Sequence, residues 1–142
     1  MYAIKNQAIE KNSLENMSRL KNISDEYILL NEDEIYEFIN NSEEFIDLIN
    51  ASLKLFKKHF PNAKFYLALE EDYECSALDG IFAYIVNKEA NFEENSYLEE
   101  LLLDDFIKLH DDYPKSYLRF SYDVEEDDEY YELWRKGIID NY

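Results

Sequence analysis

The stretch from Ser42 to Leu69 constrains the fold more than any other part of the chain. Phe45, Ile46, Ile49, Leu53, Phe56 and Phe60 recur at spacings of one, three and four residues, so they line one side of an α-helix. Ser42 stands where an N-cap belongs, and Glu43 and Glu44 follow it at the positive end of the helix dipole. Lys54, Lys57, Lys58 and His59 crowd the opposite end, where positive charge is favoured. Pro61 stops the helix and Asn62 suits a turn. Phe65, Leu67 and Leu69 then alternate at strand period. A one-sided helix followed at once by a one-sided strand predicts that the strand returns over the helix.

The remaining elements are predicted by the same patterns. Gly80–Val86 is apolar on both faces and so belongs in the middle of a sheet, with Gly80 where the chain turns back. Ser96-Tyr97-Leu98-Glu99 has the form of a capping box. The helix it opens carries Leu98, Leu101, Leu102, Phe106 and Leu109 on one face, and Asp111-Asp112-Tyr113-Pro114 closes it. In Ser116–Val124, Leu118, Phe120, Tyr122 and Val124 alternate with Tyr117, Arg119, Ser121 and Asp123, a strand with one wet face. Tyr130, Tyr131, Leu133, Trp134, Ile138 and Ile139 predict a short terminal helix docked by its aromatics. Upstream, Ile35, Phe38 and Ile39 predict a short helix that begins at Asn31 or the acids after it. Residues 1–23 read equally as a helix resting on the body or as a mobile arm.

The expected fold is therefore α+β in one domain of 142 residues, in the order α-α-β-β-α-β-α, with a small, mainly antiparallel three-stranded sheet packed on helices. Residues 125–142 form an acidic, aromatic extension of that domain. The first two strands should pair antiparallel, and the helix after them makes a right-handed crossover. The wet face of the third strand suits an edge. It is expected beside the first strand, giving the order 2-1-3; placed beside the second, it would be parallel to it.

The run His59-Phe60-Pro61-Asn62-Ala63-Lys64-Phe65-Tyr66-Leu67-Ala68-Leu69-Glu70 is followed by the strand Ile81–Asn87, the acidic helix Leu98–Asp112 and the strand Tyr117–Val124. Together they resemble a group of small uncharacterised bacterial proteins. In these, a helix ends in a Phe-Pro-Asp/Asn-Ala turn, and a leucine-rich strand, a hydrophobic strand, an acidic helix and a closing strand follow. The resemblance covers about residues 43–124. It implies that order of elements and brings no activity and no catalytic residue.

Charge supplies the functional argument. The chain has 33 acidic and 14 basic residues, a net −19, and the excess is uneven: residues 1–60 carry −4 and residues 61–142 carry −15. Such a field repels nucleic acid and anionic lipid and attracts basic partners, although solubility alone also accounts for it. Seven acids fall between Asp123 and Glu132: Asp123, Glu125, Glu126, Asp127, Asp128, Glu129 and Glu132. With Tyr117, Tyr122, Tyr130 and Tyr131 they are the candidate partner-binding residues. Carboxylates and phenol rings together meet lysine and arginine well, whereas the plainer role for each tyrosine is to roof the sheet. Arg119 and Arg135 flank the run and are expected to hold its ends.

Catalytic signatures are weak. His110 with Asp111 and Asp112 would need partners from elsewhere, because adjacent helical residues point apart, and a histidine at a helix end among solvated acids is the simpler description. Cys75 sits among Asp72, Glu74 and Asp79, which oppose thiolate formation. Carboxylate pairs are abundant in so acidic a chain, and none has calcium-loop spacing. The chain is therefore expected to be no enzyme and to use no metal or cofactor. One cysteine, an N-terminal stretch broken by Lys5, Asn6, Glu10, Lys11 and Asn12, and short apolar runs fit a cytoplasmic protein. The expected function is an acidic binding protein that neutralises a basic partner such as a toxin, a nuclease or a nucleic-acid-binding protein. That describes an antitoxin, an immunity protein or a phage-type inhibitor, and a nucleic-acid mimic is its narrower form. It would itself bind no nucleic acid or membrane and be a monomer or weak homodimer. The alternative is a self-associating structural or adaptor protein with a seam at Trp134, Ile138, Ile139 and Tyr142.

Overall fold

Two strands buried on both sides determine the layering. In the computed structural model, which describes residues 17–139 apart from 76, 78, 117 and 118, strands β2 (Lys64–Glu70) and β3 (Gly80–Val86) pair antiparallel from Lys64↔Val86 to Glu70↔Gly80. β1 (Ile28–Leu29) lies parallel to β2, and β4 (Phe120–Glu125) lies parallel to β3, giving a mixed sheet in the order β1-β2-β3-β4. Helix α1 covers residues 17–26 as far as it is described. The others are α2 (Glu32–Ile39), α3 (Glu43–His59), α4 (Phe92–Asp111) and α5 (Glu129–Arg135).

Helix α3 forms as its sequence dictates. The Ser42 side chain accepts from the Phe45 amide, and every member of the apolar stripe is buried. It rests with α4 on the face of the sheet that carries Phe65, Leu67, Leu69, Ile81, Ala83, Ile85, Phe120 and Tyr122. Phe56 joins the layers, its ring centroid 6.3 Å from Phe65, 6.0 Å from Phe106 and 5.6 Å from Tyr122. Burying a side chain of this size contributes roughly 1.5–3 kcal/mol. The described part of the N-terminal stretch is helical and docked, with Ile23 buried and Leu20 against the core. Residues 1–16 lie outside the described residues.

The structure corrects several expectations. The sheet has four strands and is mixed, because the two residues of β1 occupy the free edge of β2. The closing strand therefore goes beside β3 and runs parallel to it, although it is an edge strand as its wet face predicted. Helix α4 begins at Phe92, where the Asn91 side chain accepts from the Glu94 amide, one turn before the Ser96 box. Along it Leu102 and Phe106 are buried, but Leu101 is exposed.

Gly80 serves close packing rather than a left-handed turn. A β-carbon there would stand 2.9 Å from the carbonyl oxygen of Arg119, a backbone atom that cannot swing away. Gly80→Ala should therefore force β3 and the start of β4 apart and cost about 1–3 kcal/mol, read as a lower midpoint in urea. An unchanged midpoint would mean that the Arg119 segment yields freely.

Candidate acidic and aromatic binding surface

The second face of the sheet holds the candidate site. Strand alternation turns Tyr66 and Ala68 of β2, Phe82, Tyr84 and Val86 of β3, and Ser121, Asp123 and Glu125 of β4 to the side away from α3 and α4. The register aligns Ile28, Tyr66, Tyr84 and Asp123 in one row, and Lys64, Val86 and Glu125 in the next. Helix α5 covers part of this face. Its Tyr131 ring lies 4.6 Å from Tyr84, stacked, and 5.4 Å from Tyr66, while Trp134 packs beside them. The Tyr84 hydroxyl donates to Glu70. At this end Glu34, Glu70, Glu71, Tyr73 and Trp134 line a cleft of about 240 Å³.

One carboxylate fastens α5 to the sheet. Asp128, just before the helix, is 5% exposed. It receives Lys88 Nζ at 2.5 Å, Lys64 Nζ at 3.3 Å and the Tyr66 hydroxyl at 3.0 Å. Burial alone would raise this carboxyl, but the hydrogen bonds from Lys88, Tyr66 and Lys64 outweigh it and bring its pKa down to about 2. The Tyr66 hydroxyl has one proton for two acceptors, since Glu132 Oε2 is also 3.0 Å away. Burial and the two carboxylates raise the Tyr66 phenol well above its ordinary value. Glu132 in turn takes two bonds from the Arg135 guanidinium, at 2.9 and 3.0 Å, which lowers its carboxyl.

The structure thus divides the predicted residues. Asp123, Glu126, Asp127, Glu129 and Tyr130 are exposed, and Glu125 and Glu132 are half-buried. Asp123 loses part of its hydration against the sheet, so its carboxyl rises; burial first, and Asp123 second, raise Glu125. Asp128 and Tyr131, expected among the partner-binding residues, are instead buried and hold the fold. Tyr122 points into the main core, with its ring 4.8 Å from Phe106, and its phenol is pushed up to about 12 by burial and by Glu99 and Asp123. Tyr117 and Tyr142 lie outside the described residues. Arg135 holds its end of the run, but Arg119 does not: it donates to the Asp79 carbonyl and lies over the Phe38 ring.

Lys64, Tyr66, Lys88, Tyr84 and Glu70 are the members that sequence patterning missed. A signal existed: β3 is apolar on both faces, so a second cover had to exist, and Tyr66 and Tyr84 fall on that side. The catalytic candidates stay apart. His110 is half-buried against Phe106, with ring centroids 4.3 Å apart, and burial lowers its pKa despite Asp111. Cys75 is exposed, and its amide donates to Asp72. Among the described residues no group of three or more His, Cys, Asp or Glu is arranged to hold a metal ion.

Asp128→Asn removes the charge on which Lys64 and Lys88 converge. Folding holds this carboxyl at about 2, below its unfolded value near 4. Its stabilisation of ~2 kcal/mol is thus present in full above pH ~4 and lost as pH falls through ~2. Urea unfolding should show the variant less stable by about that amount at pH 7, with the gap closing between pH ~4 and ~2. A gap independent of pH would mean that packing, not charge, is what the substitution removes.

A scan against protein-family models finds no match to this chain, and searches of curated proteins and of solved structures find none either.

Proposed function

We propose that this protein is a non-enzymatic binding protein that neutralises a basic protein partner through the acids around α5 and β4. One observation carries this reading. Among the described residues Asp123, Glu126, Asp127 and Glu129 are exposed and form no salt bridge, although Asp127 lies within reach of the Lys88 charge, and three nearby cations are committed to other acids. Lys64 and Lys88 go to Asp128, and Arg135 goes to Glu132. Uncompensated charges of one sign so close together cost stability, and a basic partner removes that cost on docking. Tyr130, 43% exposed beside them, adds a ring face for a lysine or arginine. A toxin, a nuclease or another nucleic-acid-handling protein presents such a surface. In the narrower form, the carboxylates take the place of phosphates in its nucleic-acid groove.

The combined variant Asp123→Asn, Glu126→Gln, Asp127→Asn, Glu129→Gln tests this, with Asp128 left intact. Thermal stability should stay equal or rise, and a basic protein captured from lysate in ~50 mM salt should be lost from the native chain in ~0.5 M salt. The variant should associate with that protein about tenfold more slowly or worse, with little salt dependence. Capture indifferent to salt, or an unaltered association rate, would contradict the proposal. Competition between this protein and DNA or RNA for the captured partner decides the mimic form.

A further inference from the structure

The two edges of the sheet are finished differently. Beyond β2, Ile28 and Leu29 pair with Tyr66 and Leu67, and the Leu30 amide donates to the Leu67 carbonyl. The Asn31 side chain continues the ladder, its Nδ2 donating to the Leu69 carbonyl and its Oδ1 accepting from the Leu69 amide, both at 2.9 Å. Among the described residues nothing comparable lies beyond β4. The Asn87 amide donates to the Glu125 carbonyl, so the backbone groups of Glu125 face β3. Successive residues of a strand turn these groups to alternate edges, so those of Tyr122 and Val124 face outward, and no described residue bonds them, whereas Phe120 is buried.

Helix α4 overhangs that edge with an unusual flank. Phe106 sets α4 over β4, 6.0 Å from Phe120 and 4.8 Å from Tyr122. Asp105, bonded to Lys58 and His59, marks the side facing α3. Leu103 and Ile107, a turn apart, lie on the opposite flank, beyond the strand, and are 45% and 54% exposed. Nine large apolar residues are exposed among the described ones, and five of them are on α4. Leu103 and Ile107 thus border the edge on the α4 side, with the half-buried Glu99 near Tyr122 one turn earlier, and Asp123 and the half-buried Glu125 border it on the other.

We infer that the β4 edge receives an extended segment of the basic partner, added as a fifth strand, with apolar side chains toward Leu103 and Ile107 and lysine or arginine toward Asp123 and Glu125. Strand addition takes its affinity from main-chain hydrogen bonds and its selectivity from alternate side chains. Charge selects the occupant. A second copy would set the same acids against each other across the new ladder, and like charges on an edge are a means of preventing self-pairing. This inference rests on the proposed function and specifies how the partner is held.

Two peptides of about ten residues and identical composition test it on the full chain: one alternates valine and lysine, the other groups the lysines together. The alternating peptide should bind at least tenfold more tightly and slow hydrogen exchange at the Tyr122 and Val124 amides. Val124→Pro removes one outward N–H at an edge position without altering charge, and should reduce the alternating peptide to the affinity of its control. Should that variant fail to fold, Leu103→Gln with Ile107→Gln changes exposed residues only and should give the same loss. Equal binding of the two peptides would overturn strand addition and leave the basic-partner reading standing, whereas binding of neither would count against both. Protection of these two amides without peptide, together with a dimer in sedimentation, would assign the edge to a second copy and overturn the inference.

Discussion

Strands β2 and β3 are apolar on both sides, so neither face of the sheet can be left to water. Five consecutive residues of β2, Phe65 to Leu69, are buried, which one layer of helices cannot achieve for a pleated strand. Helices α3 and α4 close the first face around Phe56 and Phe106. The second needs its own cover, and the only described helix there, α5, is seven residues long. So short a helix is not stable by itself, and it is fixed by ring stacking and by a buried carboxylate.

That requirement splits the acidic run into two parts. Asp128 faces inward and converts Lys64, Lys88 and Tyr66 into a tie between β2, the turn after β3 and α5. Glu132 reaches the same Tyr66 hydroxyl from within α5, where Arg135 pairs with it. A paired and nearly buried carboxylate of this kind is strongly destabilising to break, whereas isolated surface pairs are worth ~0–1 kcal/mol. The remaining exposed acids form no salt bridge within this network, though Asp127 lies in the field of Lys88. The cover that completes the fold thus also carries exposed acids that form no described salt bridge.

The parts of the fold legible in the sequence are those set by local periodicity. The α3 stripe, its Ser42 cap, the alternation of β2 and β4 and the central place of β3 all follow from spacing. β1 was not legible, because two residues carry no period and because Asn31, whose amide completes that edge, looks like a helix cap. The position of β4 depends on which edge is open, and this follows from β1 rather than from β4 itself. Asn91 and Ser96 both have cap chemistry, so the start of α4 was ambiguous by one turn. In the candidate site, composition located the acidic run but could not separate Asp128 from Asp127. The distinction comes from Lys64, Lys88 and Tyr66, which are far away in sequence and brought near only by the sheet.

The most direct measurement of this division of labour is a site-resolved NMR titration of the side-chain carboxyls, alone and with a short oligolysine. The Asp128 carboxyl should titrate at about 2 in both cases, because its cations are built into the fold. The Asp123 carboxyl should titrate above the ordinary aspartate range in the free protein and fall when oligolysine binds, because partial burial raises it and an added cation favours its charged form. If Asp123 ignores oligolysine, or if Asp128 moves with it, then the acids are not divided between fold and partner as described.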